Sequence, residues 1–252
     1  PANAVKVSFR DANLRYAGAG ADSLSDITFD VAPGETVGII GGTGSGKSSL
    51  VNMIPRFYDA SQGSVCIDGV DVKDYTLDEL RHKVGVVPQK AVLFAGTIAD
   101  NIRWGKQDAT EAEIDEALEI AQAKEFVDGK ENGIYFKITQ GGKNLSGGQK
   151  QRLTIARAVV RKPEILILDD SASALDFATD AALRKAIREK TKGMTVFLVS
   201  QRASTIMNSD KIIVMDDGQI AGIGTHRQLL SNCEIYREIC QSQLSEEELS
   251  HE

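Results

Sequence analysis

Apolar residues recur at two spacings along this chain, and the change from one to the other divides it. VKVSF (5–9) and LSDITFDV (24–31) alternate apolar and polar positions, the period of a half-buried strand. The turn APGE (32–35) leads into TVGII (36–40), a short apolar run that reads as a buried strand. GKSSLVNMI (46–54) then reads as a helix, stopped before Pro55. GSVCIDGVDV (63–72) reads as a hairpin, and KVGVVPQ (83–89) as a further buried strand. From about Lys90 to Lys162 the spacing turns helical, most clearly in EAEIDEALEIAQA (111–123) and GGQKQRLTIARAVVR (147–161). Strands return at EILILD (164–169), MTVFLVS (194–200) and KIIVMDDGQIAGIG (211–224), with a helix over ALRKAIREKT (182–191).

Continuous apolar strands separated by helices predict an α/β fold: a largely parallel sheet with helices on its faces, beside an antiparallel β part. The expected organisation is a single domain over 1–252. Its sheet-rich core takes in 1–89 and 163–241, a helical lobe is inserted at 90–162, and SQLSEEELSHE (242–252) is an acidic, frayed tail.

Composition narrows the class of partner. With 42% hydrophobic and 26% charged residues the chain is of ordinary globular make-up. A net charge of −7 argues against a nucleic-acid partner, which usually calls for a basic excess. No stretch approaches the roughly 18 apolar residues of a membrane-spanning helix, and no signal peptide is visible. The chain opens at Pro1 without an initiator Met and is read as a piece of a longer polypeptide. Cys66, Cys233 and Cys240 are odd in number and lack metal-ligand spacing, which fits reduced structural thiols of a cytosolic domain. His82, His226 and His251 are read as surface residues.

The densest chemical signal is GGTGSGKSS (41–49), between a predicted strand and a predicted helix. It fits the phosphate loop G-x-x-x-x-G-K-S, with Gly41, Gly46, Lys47 and Ser48 at the fixed places and Gly42, Thr43, Gly44, Ser45 and Ser49 around them. Its glycines let backbone N–H groups converge on phosphate oxygens, and the following helix adds its positive end. Lys47 supplies a point charge at the β- and γ-phosphates, and the Ser48 hydroxyl is the expected Mg²⁺ ligand. Asp169 ends the apolar strand 165–168, where P-loop NTPases carry their second metal-site element. In NLSGGQKQR (144–152) two glycines at a helix start make a second anion-binding end.

Together, GGTGSGKSS, NLSGGQKQR and ILILDDS resemble the motif set of the ATP-binding-cassette family, and the resemblance covers nearly the whole chain. It implies ATP and Mg²⁺ as ligands. By the same resemblance Tyr16 stacks on adenine, Gln89 contacts Mg²⁺ and the transport partner, and Ser173, Ala174, Leu175 and Asp176 form a loop that crosses to a partner domain. LFAGTIADNI (93–102) and TQGGKNLSGG (139–148) are similar to the corresponding stretches of exporters, although Gln140 stands where many exporters carry an acid. In the family two such domains dimerise head to tail, each ATP lying between one chain's phosphate loop and the other chain's signature. Here that signature is Ser146, Gly147, Gly148 and Gln149. A transmembrane domain is expected upstream, with this domain on the cytoplasmic face of the cell membrane.

Two positions depart from the family pattern. Hydrolytic members place Glu directly after the strand-ending Asp, and Asp170 stands there instead. Its carboxylate falls short by roughly 1 Å, a misplacement that can cost about 10²-fold in rate. The family's switch His is replaced by Gln201, which can donate a hydrogen bond but cannot shuttle protons near neutral pH. The expectation is a chain whose own site binds ATP and hydrolyses it poorly, resembling the degenerate half of heterodimeric multidrug-type exporters. A symmetric homodimer with Asp170 as base is the alternative, and a soluble cassette ATPase acting on nucleic acid or ribosomes is a third reading. Ala91, Val92, Leu93 and Phe94, beside Gln89, are the expected docking place of the membrane partner.

Overall fold

The structure, a computed structural model, describes residues 4–250. It divides into two compact units, one taking in the residues up to Val84 and those from Thr195 on, the other running from Gly85 to Met194. The first part of unit one holds β1 (Val7–Leu14), β2 (Leu24–Val31), β3 (Thr36–Gly41), α1 (Lys47–Asn52), β4 (Gln62–Ile67), β5 (Val70–Asp71) and α2 (Leu77–Lys83). In the second unit follow β6 (Val84–Val87), β7 (Gly96–Thr97), α3 (Ile98–Arg103), α4 (Glu111–Ile120), α5 (Lys124–Asp128), β8 (Lys137–Ile138), α6 (Gly147–Val159), β9 (Ile165–Asp169) and α7 (Phe177–Lys190). The chain then returns to unit one with β10 (Thr195–Val199), α8 (Ala203–Ile206), β11 (Lys211–Asp216), β12 (Gln219–Gly224), α9 (His226–Asn232), α10 (Glu234–Gln243) and α11 (Glu246–Ser250).

Unit one carries an antiparallel sheet in the order β2-β1-β4-β5 and the strand series β12-β11-β3-β10. There β3 pairs in parallel with both β10 and β11, while β12 closes the edge antiparallel to β11. Every residue of β10 is buried, as parallel strands covered on both faces require. The α/β class with a parallel-dominated sheet, an antiparallel β part and helices matches the sequence reading.

Several boundaries differ from the sequence pattern, each for a local reason. β1 continues to Leu14 because a register shift between Phe9 and Ala12 breaks the two-residue alternation without ending the pairing with β2. α7 starts at Phe177, well before Ala182, because the Asp176 carboxylate caps it by accepting from the Thr179 N–H. The tail expected to fray holds a helix as far as Ser250. Ser245 caps it, its Oγ accepting from the Glu248 N–H while the Glu248 carboxylate accepts from the Ser245 N–H. Residues 251–252, with His251, lie outside the described residues. His226 is not a free surface residue: it is half-buried, with Nδ1 2.5 Å from the Tyr236 hydroxyl.

Unit two is mainly helical. α3 and α4 pack on α6, α4 also meets α7, and β6 lies beside β9. The first four residues of β9 are buried, so its carboxylate end emerges from an apolar strand.

Candidate functional site

In unit one the phosphate loop follows from the packing at its two ends. At Gly41 a Cβ would come within 2.4 Å of the Met215 carbonyl oxygen on neighbouring β11, so only glycine lets the strand end this close. Gly46 has φ +102°, and a Cβ there would meet Leu24 Cδ2 at 2.7 Å. Between them Gly42, Thr43 and Gly44 are exposed, and the space where Gly42 and Gly44 would carry a Cβ is open. The open space at Gly42 and Gly44 fits a phosphate group. Lys47 Nζ donates to the carbonyls of Gly41 at 2.7 Å and Gly42 at 2.9 Å, so the ammonium lies over the loop, where it would offset the charge of a phosphate. Ser45 is buried, its carbonyl accepting from Gly218 N–H at 3.0 Å, which braces the loop against the β11–β12 turn. Ser48 is exposed, on the face of α1 next to Lys47.

Tyr16 lies just past β1. Its hydroxyl is 2.5 Å from Ser49 Oγ on α1, and its ring meets Tyr58 edge to face with centroids 4.8 Å apart. Gln201 is exposed after β10, and its carbonyl accepts from Gln243 Nε2 at 2.8 Å.

In unit two Asp169 ends β9, Asp170 follows it, and both are half-buried. Asp170 has φ +52°, a left-handed conformation that Asp tolerates better than most side chains. Gln89 Nε2 donates to Asp170 Oδ2 at 3.1 Å, so the residue read as a metal and partner contact also holds the shortened carboxylate. Among the described residues no cluster of three or more His, Cys, Asp or Glu could hold a metal by itself. The carboxylate and amide that unit two supplies suit Mg²⁺ only when phosphates complete its shell, the usual way this ion is bound.

The signature begins α6. Ser146 is its N-cap: Ser146 Oγ accepts from Gln149 N–H at 3.1 Å, and Gln149 Oε1 accepts from Ser146 N–H at 3.0 Å. Both side chains are therefore engaged by the helix end, while Gly147 and Ser146 stay exposed. Gln151, one turn further on, is buried. It donates from Nε2 to Ser173 Oγ at 3.1 Å and accepts from Ala174 N–H at 2.9 Å. Of the loop residues, Ser173, Ala174 and Asp176 are exposed and Leu175 turns inward. The Thr179 N–H holds the Asp176 carboxyl below the usual carboxylate range. Gln140 is exposed in a short turn before the signature. In the stretch beside Gln89, Leu93 is buried, whereas Val92 and Phe94 are exposed, Phe94 lying against Trp104 with ring centroids 4.9 Å apart.

Sequence reasoning missed Gln151 and Tyr58. Gln151 carried a faint signal, a polar residue at helical spacing from Ile155 and Ala158 on the buried face of α6. Tyr58 carried none, since nothing in RFYD pairs it with Tyr16.

A phosphate loop after a parallel strand, a capped glycine helix start and a carboxylate-ended strand together define a nucleotide-binding domain. The ABC transporter pattern matches residues 24–173, more than half of the chain, and the chain belongs to that family. An uncharacterized ABC transporter ATP-binding protein of Mycobacterium tuberculosis is 45% identical over 240 residues, covering 94% of this chain and 41% of that protein. An ATP-dependent lipid A-core flippase of Hahella chejuensis is 41% identical over 242 residues, covering 96% of this chain and 41% of its own. The solved structure of a bacterial Atm1-family ABC exporter with ATP bound superposes with a TM-score of 0.91 at 37% identity, covering 97% of this chain and 43% of that one. The chain is thus similar to the nucleotide-binding domains of exporters and spans about two fifths of the length of these relatives. Among the described residues no helix is long and apolar enough to cross a membrane.

Proposed function

We propose that this chain binds and hydrolyses ATP to power export across a membrane, closing head to tail on a second nucleotide-binding domain. The observation that carries the ATP reading is the exposed apex of the phosphate loop, open at Gly42 and Gly44, with Lys47 Nζ lying over it. In this reading Lys47 and the loop residues from Gly41 to Ser49 hold the triphosphate and Tyr16 the adenine. Ser48, Asp169 and Gln89 hold Mg²⁺, which when bound offsets phosphate charge as the terminal phosphoryl is transferred to water. Ser146, Gly147, Gly148 and Gln149 complete the site of the partner domain, and Ser173 to Asp176 reach toward it. A transmembrane domain lies upstream in the full-length protein, which puts this domain on the cytoplasmic face of the membrane. A Bacillus subtilis relative named as a probable multidrug resistance ATP-binding/permease protein, of which the chain covers 40%, supports that placement. Val92 and Phe94, exposed beside Gln89, are where the membrane partner docks.

The chain's own site is the hydrolysis-poor one of an unequal pair. The carboxylate of Asp170 is one methylene shorter than the family's Glu and is engaged by the Gln89 amide at 3.1 Å, leaving it poorly placed to polarise a water. Gln201 cannot replace a titrating His. Turnover by the purified protein alone, with and without Asp170→Asn, tests this. Appreciable hydrolysis that Asp170→Asn abolishes makes Asp170 a working base and the protein a symmetric homodimeric ATPase.

A further inference from the structure

Tyr16 is the expected adenine platform, yet it is only half-buried and sits at the start of a loop. A ring in that position has two side-chain torsions to lose before a base can stack on it, and ordering it beforehand removes that cost from binding. Three contacts within unit one do the ordering. The Tyr16 carbonyl accepts from Ala19 N–H at 3.0 Å and fixes the backbone. The hydroxyl is 2.5 Å from Ser49 Oγ, on the same helix as Lys47 and Ser48. The ring meets Tyr58 at 86° and 4.8 Å, the edge-to-face arrangement that aromatic pairs favour.

Tyr58 is itself held. Arg56, at φ +64°, and Asp59 form an ion pair at 2.8 Å across the turn that carries Tyr58. Phe57 N–H donates to the Asn52 carbonyl at the end of α1, and Ser61 N–H donates to the Asn13 carbonyl near the end of β1, at 2.8 Å. The turn is thus pinned both to the phosphate-loop helix and to the strand that leads into Tyr16. Tyr58 remains 41% exposed, so filling the apolar core does not account for its place.

We infer that Tyr58 and Ser49 are positioning residues for base recognition: they lock the Tyr16 ring onto the phosphate-loop helix, so that a purine base and its triphosphate are read by one rigid platform. This rests on the reading of Tyr16 as the adenine platform. It predicts that Tyr58 affects recognition of the base and leaves recognition of the phosphates unchanged.

The test is calorimetric titration of the purified protein with ATP and, separately, with inorganic tripolyphosphate, which has no base. Tyr58→Ala weakens ATP binding about three- to tenfold, the range expected of one aromatic pair, and leaves tripolyphosphate binding unchanged. Tyr58→Phe restores the ATP affinity. Tyr16→Phe, which loses the hydroxyl, lowers the preference for ATP over tripolyphosphate, and adding Ser49→Ala lowers that preference no further. If Tyr58→Ala weakens both ligands in step, Tyr58 is merely structural and the inference is overturned. If Tyr16→Ala weakens ATP binding but Tyr58→Ala does not, the platform stands and the brace falls. If Tyr16→Ala itself leaves ATP binding intact, the platform reading fails and the brace with it.

Discussion

The amide of Gln151 clasps the backbone at Ala174, accepting its N–H at 2.9 Å while donating to the neighbouring Ser173 hydroxyl. One buried side chain thereby joins the signature helix to the loop at 173–176, and Gly148 packs against the Ala174 carbonyl beside it. Under the proposed function both elements serve the partner's nucleotide, so they present to it as one piece. Gln151→Leu leaves the Ala174 N–H without its acceptor, and an ordinary hydrogen bond contributes about 0.5–1.5 kcal/mol net. The expected outcome is a lowered melting temperature and at least about tenfold slower turnover at the partner's site, with ATP binding at this chain's own site unchanged. Calorimetry and site-resolved turnover in the assembled pair measure both.

Lys47→Ala removes the ammonium that lies over the phosphate loop. Charge-assisted hydrogen bonds are about twice as strong as neutral ones, so most of the ATP affinity goes, whereas Tyr16→Ala loses less. Unchanged ATP affinity in Lys47→Ala would sink the assignment of this loop.

Asp170→Glu with Gln201→His restores the reach of the base and a titrating switch. A positioned base is worth about 10²–10⁴-fold, so hydrolysis at this chain's site rises only when a partner signature is present. Under the proposed function the two changes are non-additive. Glu is a poorer occupant than Asp of the left-handed backbone at residue 170, so the variant melts slightly lower. No rise in turnover would mean that the two departures are not what limits this site.

Ser146→Ala removes the N-cap of α6, at a cost of about 1 kcal/mol. Hydrolysis at the partner's site falls, and the nucleotide in this chain's own site stays bound. Equal loss at both sites would contradict the assignment of the signature to the partner.

Burial holds the His226 imidazole below its ordinary pKa of 6.5. The unfolded chain therefore takes up this proton more readily than the folded one, and stability is lost as pH falls below about 6.5 toward the folded value. Melting temperatures measured from pH 7 to 5 fall, and the fall is smaller in His226→Gln. The same slope in both proteins would rule out His226 as its source.

The legible parts of this fold were those written in short-range pattern. β2 matched its prediction at both ends because apolar and polar residues alternate from Ile27 to Val31 and Leu24 is buried at its start. The phosphate loop was legible because its glycines, Lys47 and Ser48 stand at fixed offsets. α9 and α10 were not anticipated: the strand reading ended at Gly224, although Thr225 and Gln228 form a capping box at the next step. The contacts of Gln151 with Ala174 and of Tyr16 with Tyr58 link residues 23 and 42 positions apart, and no local period reports such pairs.

The bracing of the phosphate loop sets an order of events during synthesis. β3 takes one neighbour from Thr195–Val199 and the other from Lys211–Asp216, and the Ser45 carbonyl takes its hydrogen bond from Gly218. All of these lie more than 150 residues downstream of the strand and loop they support. A chain emerging from the ribosome exposes GGTGSGKSS early, but the strand that ends in it has no flank until Thr195–Val199 is made, and the loop has no brace until Gly218 is made. Nucleotide can therefore report on completion: a nascent chain stalled before residue 195 holds the whole motif and no nucleotide, and retention begins only once the β11–β12 turn has emerged.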